Sequence, residues 1–395
     1  MDAPSAVRRI LVAKGLRAFG DGYVALLLPI YLIDLGFTAL EVGAIATATL
    51  VGSGLLTLLV GLRAHRHSYR ALLIAATVLM AATGLGFAAV RDFWPLLLIA
   101  IVGTLNPSSG DVSVFLPLEH AVLSRVVDDR ARTSVFARYS LVGALAAAVG
   151  ALAAGLPPRD AIPAMFVLYA LIAAGAAVAY RGLPPALVAG PQHAAAPLGP
   201  SKRRVYALAA LFSLDAFGGG FVVQSLLALW LFERFEMSIA SAGTLFFWTG
   251  VLTAFSYLVA VRIANRIGLV NTMVYTHIPS SLCLVAIPFV PSLAGVVVLL
   301  LIRSALSQMD VPTRSSYVMA IVTPPERPAA ASITSVPRSL ASALSPVLAG
   351  SMLAATTFGW PLLVAGVVKI AYDLMLLAMF RKVRPPEEQT RRPDT

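Results

Sequence analysis

Two pairs of ionisable residues recur in this chain at nearly one spacing. Asp111 and Asp310 stand 199 residues apart, each followed by a valine, and Arg138 and Arg338 stand 200 apart. All four interrupt apolar stretches. A carboxylate in such a place can take up and release a proton or hold a cationic solute, and a guanidinium can hold an anion or lock a carboxylate. One charge at the centre of a membrane span costs about 2.5–3.5 kcal/mol on insertion scales, so these groups are read first as functional or gating residues. Their repetition points to a solute pathway.

Other polar groups join them. Asp21 lies between Gly20 and Gly22, and Lys14, Arg17 and Asp21 are spaced three and four apart, on one helix face. Two readings stay open: a self-neutralising Arg17–Asp21 pair, or Asp21 as a proton or substrate-cation site tuned by Arg17. Burial favours a protonated Asp21 and a permanent arginine partner opposes it, so a site that alternates between paired and unpaired states would meet both demands. Asp215 stands 198 residues after Arg17, with the opposite sign at the same place in the repeat. Arg303, Asp310 and Arg314 share a face. The proton-coupling candidates are therefore Asp21, Asp111, Asp215 and Asp310. Candidates for touching a substrate are Arg17, Asn106, Arg138, Gln224, Arg303, Gln308 and Arg338. Asn106-Pro107-Ser108-Ser109-Gly110 predicts a softened helix whose carbonyls face a cavity. Lys369 and Asp373, four apart, read as a self-satisfied structural pair, and Glu119 as a group at the membrane boundary with a possible gating contact.

The elements that must position these groups are membrane spans. The chain has 395 residues, of which 58% are hydrophobic and only 12% charged, with a mean hydropathy of +0.84. That composition excludes an ordinary soluble domain. Spans of about 20 apolar residues can be placed at 10–34, 39–61, 70–90, 94–120, 133–155, 161–181, 205–231, 239–261, 269–289, 292–320, 330–352 and 359–380. Ala18-Phe19-Gly20 returns as Ala216-Phe217-Gly218, and Tyr180-Arg181 as Phe380-Arg381. The expectation is an all-α membrane protein, with twelve transmembrane helices in two pseudo-symmetric six-helix bundles at 1–181 and 204–395. A Pro-, Ala- and Gly-rich linker, 182–203, joins them. Six spans per half is an even number, so the halves share one orientation, with the pathway between them.

The net charge of +11 does not describe a nucleic-acid binder, because the basic residues cluster in short loops between apolar runs. Their bias places both termini in the cytoplasm of a cell (inner) membrane. Lys14, Arg17 and Asp21 break any cleavable leader. The single cysteine, Cys283, excludes an intrachain disulfide and argues against a thiolate metal site; the five histidines are scattered. No metal or other cofactor is expected, and no nucleotide-binding loop is present, so energy must come from gradients. A membrane enzyme would want clustered His, Asp or Cys residues at one depth.

The loop 61–70, Gly61-Leu62-Arg63-Ala64-His65-Arg66-His67-Ser68-Tyr69-Arg70, resembles the G-x-L-A-D-R-x-G-R-R/K loop of the major facilitator superfamily. Gly61, Ala64, Arg66 and Arg70 match. The second copy keeps Ala264, Arg266 and Gly268, while His65 and Asn265 stand where the family has an acid. The resemblance covers nearly the whole chain. It implies that spans 1, 4, 7 and 10 line a cavity, that 2, 5, 8 and 11 flank it, and that 3, 6, 9 and 12 support it. It also implies a cytoplasmic gate, for which Arg66, Arg70, Glu119, Arg266 and Arg314 are candidates. The expected function is proton-coupled secondary transport of a small organic molecule by alternating access, in a lipid bilayer and by a monomer, with export favoured over uptake by similarity to efflux branches. The alternatives are an organic-anion or organophosphate exchanger using Arg17, Arg138 and Arg338, and a non-transporting receptor.

Overall fold

The computed structural model describes residues 3–63, 67–108, 113–127, 129–183, 198–323 and 326–383. The first half contributes α1 (Ala3–Asp34), α2 (Ala39–Arg63), α3 (Tyr69–Ala89), α4 (Phe93–Val102), α5 (Phe115–Val126), α6 (Asp129–Ala153) and α7 (Ile162–Arg181). The second contributes α8 (Lys202–Gly220), α9 (Gln224–Phe235), α10 (Ile239–Ile267), α11 (Leu269–Ala286), α12 (Leu293–Leu306), α13 (Asp310–Ile321), α14 (Arg327–Ala355) and α15 (Trp360–Phe380). Ten of the described helical segments are long and apolar enough to cross a membrane. Helices α4 with α5, and the 29-residue α14, stand at the places of the expected fourth and eleventh spans. The fold is all-α and transmembrane, as expected.

Hydrocarbon offers the backbone no hydrogen bonds, so each segment satisfies its own amides by coiling. Side chains finish the ends. Before α2, the Thr38 amide donates to Glu41 Oε2 at 2.7 Å while the Glu41 amide donates to Thr38 Oγ1 at 3.3 Å, a reciprocal capping box. Ser68 Oγ takes the Ala71 amide at the start of α3, and Ser292 Oγ the Gly295 amide at the start of α12.

Three crossings are interrupted: the fourth between α4 and α5, the seventh between α8 and α9, the tenth between α12 and α13. Exposed polar backbone in a membrane must find protein partners, and it does. The Thr104 amide donates to Thr83 Oγ1 at 3.3 Å, and Pro107 O accepts the Ser225 amide at 3.1 Å. At the end of α8, Phe217 O accepts the Ser345 hydroxyl at 2.6 Å. The Asn106–Gly110 break expected from the sequence is present through Ser108, with its Pro107 carbonyl taken up by α9.

The chain groups into two compact units, and each is built differently. One comprises Met1–Gln192, Val223–Val251 and Pro346–Thr357. Here α1 packs along α6 and α7, α3 along α7, and α9 against α1 and α2. Glycine lets the backbones meet: a Cβ at Gly22 would lie 2.0 Å from Ala147 O, and one at Gly150 2.0 Å from Phe19 O. A Cβ at Gly43 would come within 2.4 Å of Pro346 O, and one at Gly155 within 2.6 Å of Ala240 Cα. Such small-residue crossings replace the hydrophobic drive that lipid removes. They also explain why parts of α9, α10 and α14 belong with the first-half helices.

The other unit comprises His193–Val222, Leu252–Ser345 and Phe358–Thr395. In it α11 lies along α15, and α15 along α8, as α3 and α1 lie along α7 in the first unit. Its core includes Val205, Leu208, Phe212, Met273, Tyr317 and Tyr372.

Candidate functional site

Each unit buries one cluster of charged side chains, and the two differ in balance. In the first unit α5 presents Glu119, with no exposed surface, from a face shared with Leu118 and Val122. Its Oε2 accepts Arg17 Nη2 at 2.5 Å and the Tyr139 hydroxyl at 2.6 Å; its Oε1 accepts the Tyr180 hydroxyl at 2.6 Å. Arg17 Nε donates to Tyr180 Oη at 3.1 Å, and the guanidinium stacks 3.9 Å from the Phe115 ring. Helices α1, α5, α6 and α7 thus meet on one neutral ion pair with both carboxylate oxygens engaged. Arg17 forms its salt bridge with Glu119 and not with Asp21, one turn further along α1. Glu119 is fully buried within the protein. Asp21 is half-buried and accepts the Tyr169 hydroxyl at 3.2 Å.

In the second unit Asp215 of α8 is the hub. Lys369 Nζ reaches its Oδ1 at 2.6 Å, Arg314 Nη1 its Oδ2 at 3.4 Å, and His277 Nε2 approaches Oδ1 at 3.7 Å. Arg314 also pairs closely with Asp310, one turn back on α13, where the acid sits in the first turn and complements the helix dipole. His277 Nδ1 lies 3.0 and 2.9 Å from the two oxygens of Asp373, which has no exposed surface. Four crossings, the seventh, ninth, tenth and twelfth, converge here. Lys369 and Asp373 do not form the isolated pair expected of them: the amine goes to Asp215 and the carboxylate to His277.

The remaining sequence candidates fall elsewhere. Asp111 and Arg66 lie outside the described residues. Arg138 and Arg266 are exposed, on α6 and α10. Arg70 Nη1 donates to Leu183 O at 3.4 Å. Asn106 is buried and accepts from the amide and hydroxyl of Ser108, closing the break after α4. Gln224 and Gln308 are half-buried at the breaks of the seventh and tenth crossings. Arg303 and Arg338 are half-buried, and each has a buried Nε without a hydrogen-bond partner among the described residues.

Sequence reasoning missed His277, Tyr139, Tyr169 and Tyr180. The tyrosines carry no charge that would stand out in an apolar run. His277 is detectable as a titratable residue inside a span, but the family resemblance implies only a supporting role for the ninth span.

Chemically, the first cluster centres on one ion pair, Arg17 with Glu119, whose carboxylate is further held by two hydroxyl donors, and the buried Lys14 ammonium lies 4.9 Å from the Tyr139 ring. The second can exchange partners, because one carboxylate, Asp215, is shared by Lys369, Arg314 and His277.

The sequence profile described as Major Facilitator Superfamily matches residues 10–308 and 208–395. An uncharacterized membrane protein of Saccharomyces cerevisiae is 26% identical over 411 residues, covering 92% of each chain. Among solved structures, the nucleoside transporter NupG superposes with a TM-score of 0.75 at 15% identity, covering 95% of this chain and 99% of its own. The human organic anion transporter MFSD10 gives 0.67 at 17% identity, covering 95% of this chain and all of its own. A bacterial homolog of the human lysosomal transporter Spinster, in an inward-facing occupied conformation, gives 0.73 at 12%, covering 95% of each. At these identities the structural likeness establishes the fold alone.

Proposed function

The chain belongs to the Major Facilitator Superfamily, a transporter of a small-molecule substrate and not an enzyme, and on that premise we propose that it is a proton-coupled secondary active transporter working by alternating access. The observation that supports this best is the buried cluster of Asp215, His277, Asp310, Arg314, Lys369 and Asp373. A permanently paired set would be a poor reason to place so many charges in a membrane, whereas a set that can exchange a proton for an internal cation gives a gradient something to act on. Asp215 and Asp310 belong to that set, and Asp21, half-buried beside Tyr169, is its counterpart on α1. The two repeats, 1–181 and 204–395, carry the motion. The basic loops orient both termini to the cytoplasm of a cell inner membrane, the monomer is the working unit, and export is the favoured direction.

A second reading, exchange of organic anions, is favoured by one feature: the buried Nε atoms of Arg303 and Arg338 lack hydrogen-bond partners among the described residues. A carboxylate or phosphate would supply them.

Proteoliposomes holding a pH-sensitive dye separate the two. With uridine and p-aminohippurate as probes, the proposed function requires solute movement that follows an imposed pH gradient and moves protons with it. Transport that ignores both the pH gradient and the membrane potential, but is driven by a counter-anion, would replace it with the exchanger.

A further inference from the structure

The His277–Asp373 pair has a geometry that the coupled-transport reading does not by itself require. Both ring nitrogens of His277 face carboxylate oxygens: Nδ1 at 2.9 Å from Asp373 and Nε2 at 3.7 Å from Asp215. A neutral imidazole has one N–H and one lone pair. Whichever tautomer it adopts, one nitrogen then turns its lone pair toward an anionic oxygen. An added proton removes that conflict, as an imidazolium donating to both acids.

The charges around the pair lead to the same result. From α8, Asp215 already receives Lys369 and Arg314. From α13, Asp310 is paired with Arg314, and Tyr317 donates its hydroxyl to Val383 O. From α15, Lys369 is committed to Asp215, and the Tyr372 ring lies 6.0 Å from the imidazole with its hydroxyl lacking a hydrogen-bond partner among the described residues. From α14, the charge of Arg338 is felt by Arg314, Asp215 and Asp310. From α12, Arg303 is half-buried, its Nε without a hydrogen-bond partner among the described residues. Asp373 therefore has His277 as its ion-pair partner, and an uncompensated carboxylate with no exposed surface is strongly disfavoured.

We infer that the His277–Asp373 pair is a proton-binding site holding one exchangeable proton, and that Lys369 controls its release. Lys369 and Asp373 are one turn apart on the same face of α15. When the ammonium leaves Asp215 for Asp373, the permanent charge replaces the proton's charge and the proton departs. Proton and lysine thus compete for the same two carboxylates. That this proton is the transported one rests on the coupled-transport reading above; that the pair binds it does not.

Histidine-labelled protein in lipid, followed by nitrogen and carbon NMR, reads the protonation of His277 without any substrate. Its signal is assigned by His277→Gln or, should that variant not fold, by replacing the other four histidines one at a time. The expected result is a doubly protonated ring at pH 6 that becomes neutral as the pH is raised, with Asp373→Asn weakening the hold on the proton about tenfold or more and Lys369→Met strengthening it. A ring that stays neutral from pH 5 to 9, or stays charged regardless of Asp373→Asn and Lys369→Met, overturns the inference. Proteoliposome proton flux answers the other question. If the wild type shows no solute-linked flux while His277 behaves as expected, the coupled-transport reading fails and the proton site stands.

Discussion

The ammonium of Lys369 lies 2.6 Å from the carboxylate of Asp215, joining α15 to α8 in the interior of the second unit. Both side chains are buried, with 11% and 5% of their surface exposed. Removing one member of a buried pair leaves the other uncompensated, which costs about 3–5 kcal/mol, whereas replacing both is often close to neutral. Lys369→Met alone and Asp215→Asn alone are therefore expected to lower the thermal midpoint of the purified protein sharply. The double variant should recover a good part of the loss, because Arg314 retains Asp310. Additive losses in the double variant would mean that the two groups do not depend on each other.

Two glycines on α2 provide an internal control for the tight crossings. A Cβ at Gly52 would sit 1.8 Å from Ile101 O on α4, while one at Gly54 would meet nothing within 4 Å. Backbone cannot swing aside as a flexible side chain can. Gly54→Ala should be neutral or slightly stabilising, since alanine is favoured over glycine in a helix by about 0.8–1.0 kcal/mol. Gly52→Ala must push α2 away from α4 and should cut the yield of folded protein. Equal melting curves for the two variants would refute the close approach.

How much of this was legible beforehand depends on what kind of signal each residue carries. The twelve crossings and the repeat are legible because hydrophobic length and an offset near 200 survive in the linear order. Asp215, Asp310 and Arg314 stand out as charges in apolar runs, and the structure does bring them together. Pairing is another matter. Arg17 had an acid one turn away at Asp21, yet its partner is Glu119, 102 residues distant, because α5 follows a break that turns its acid inward. Spacing along one helix cannot report a contact made by a different helix. Lys369 and Asp373 show the same limit: their i,i+4 spacing suggested mutual neutralisation, but neighbours on α8 and α11 compete for both. The tyrosines around Glu119 leave no mark in hydropathy or charge.

Those tyrosines have a measurable role. Hydrogen bonds to a charged group contribute about 1.5–3 kcal/mol, and the Glu119 carboxylate receives one from Tyr139 and one from Tyr180. Tyr139→Phe and Tyr180→Phe should each lower stability by that order, with Tyr180→Phe the larger because it also loses the contact to Arg17 Nε. Since both Glu119 oxygens are engaged and one of them pairs with Arg17, neither variant should move the pH dependence of transport. A shifted pH profile in Tyr139→Phe would show that Glu119 titrates during the cycle, and the distinction between the two clusters would fall.

Outside the membrane, Glu326 joins the chain preceding α8 to the turn between α13 and α14. Its Oε1 accepts the Gly199 amide at 2.5 Å, and its Oε2 accepts the Thr323 hydroxyl at 2.7 Å and the Thr323 amide at 3.4 Å. Hydrogen bonds from Thr323, then Ser201 and the Gly199 backbone, favour the ionised form and lower the carboxyl from its ordinary 4.5 to about 2. A group whose affinity for protons is weaker in the folded state stabilises that state above its unfolded value and loses the contribution as the pH falls toward the folded one. The stability gap between wild type and Glu326→Gln should therefore be constant from pH 8 to 6, narrow below about 4.5, and close near 2. Thermal melts of both proteins across that range, in a detergent without titratable groups, measure it. A gap that persists unchanged to pH 3 would mean that the carboxylate's charge plays no part in holding Gly199, and that shape alone secures the turn.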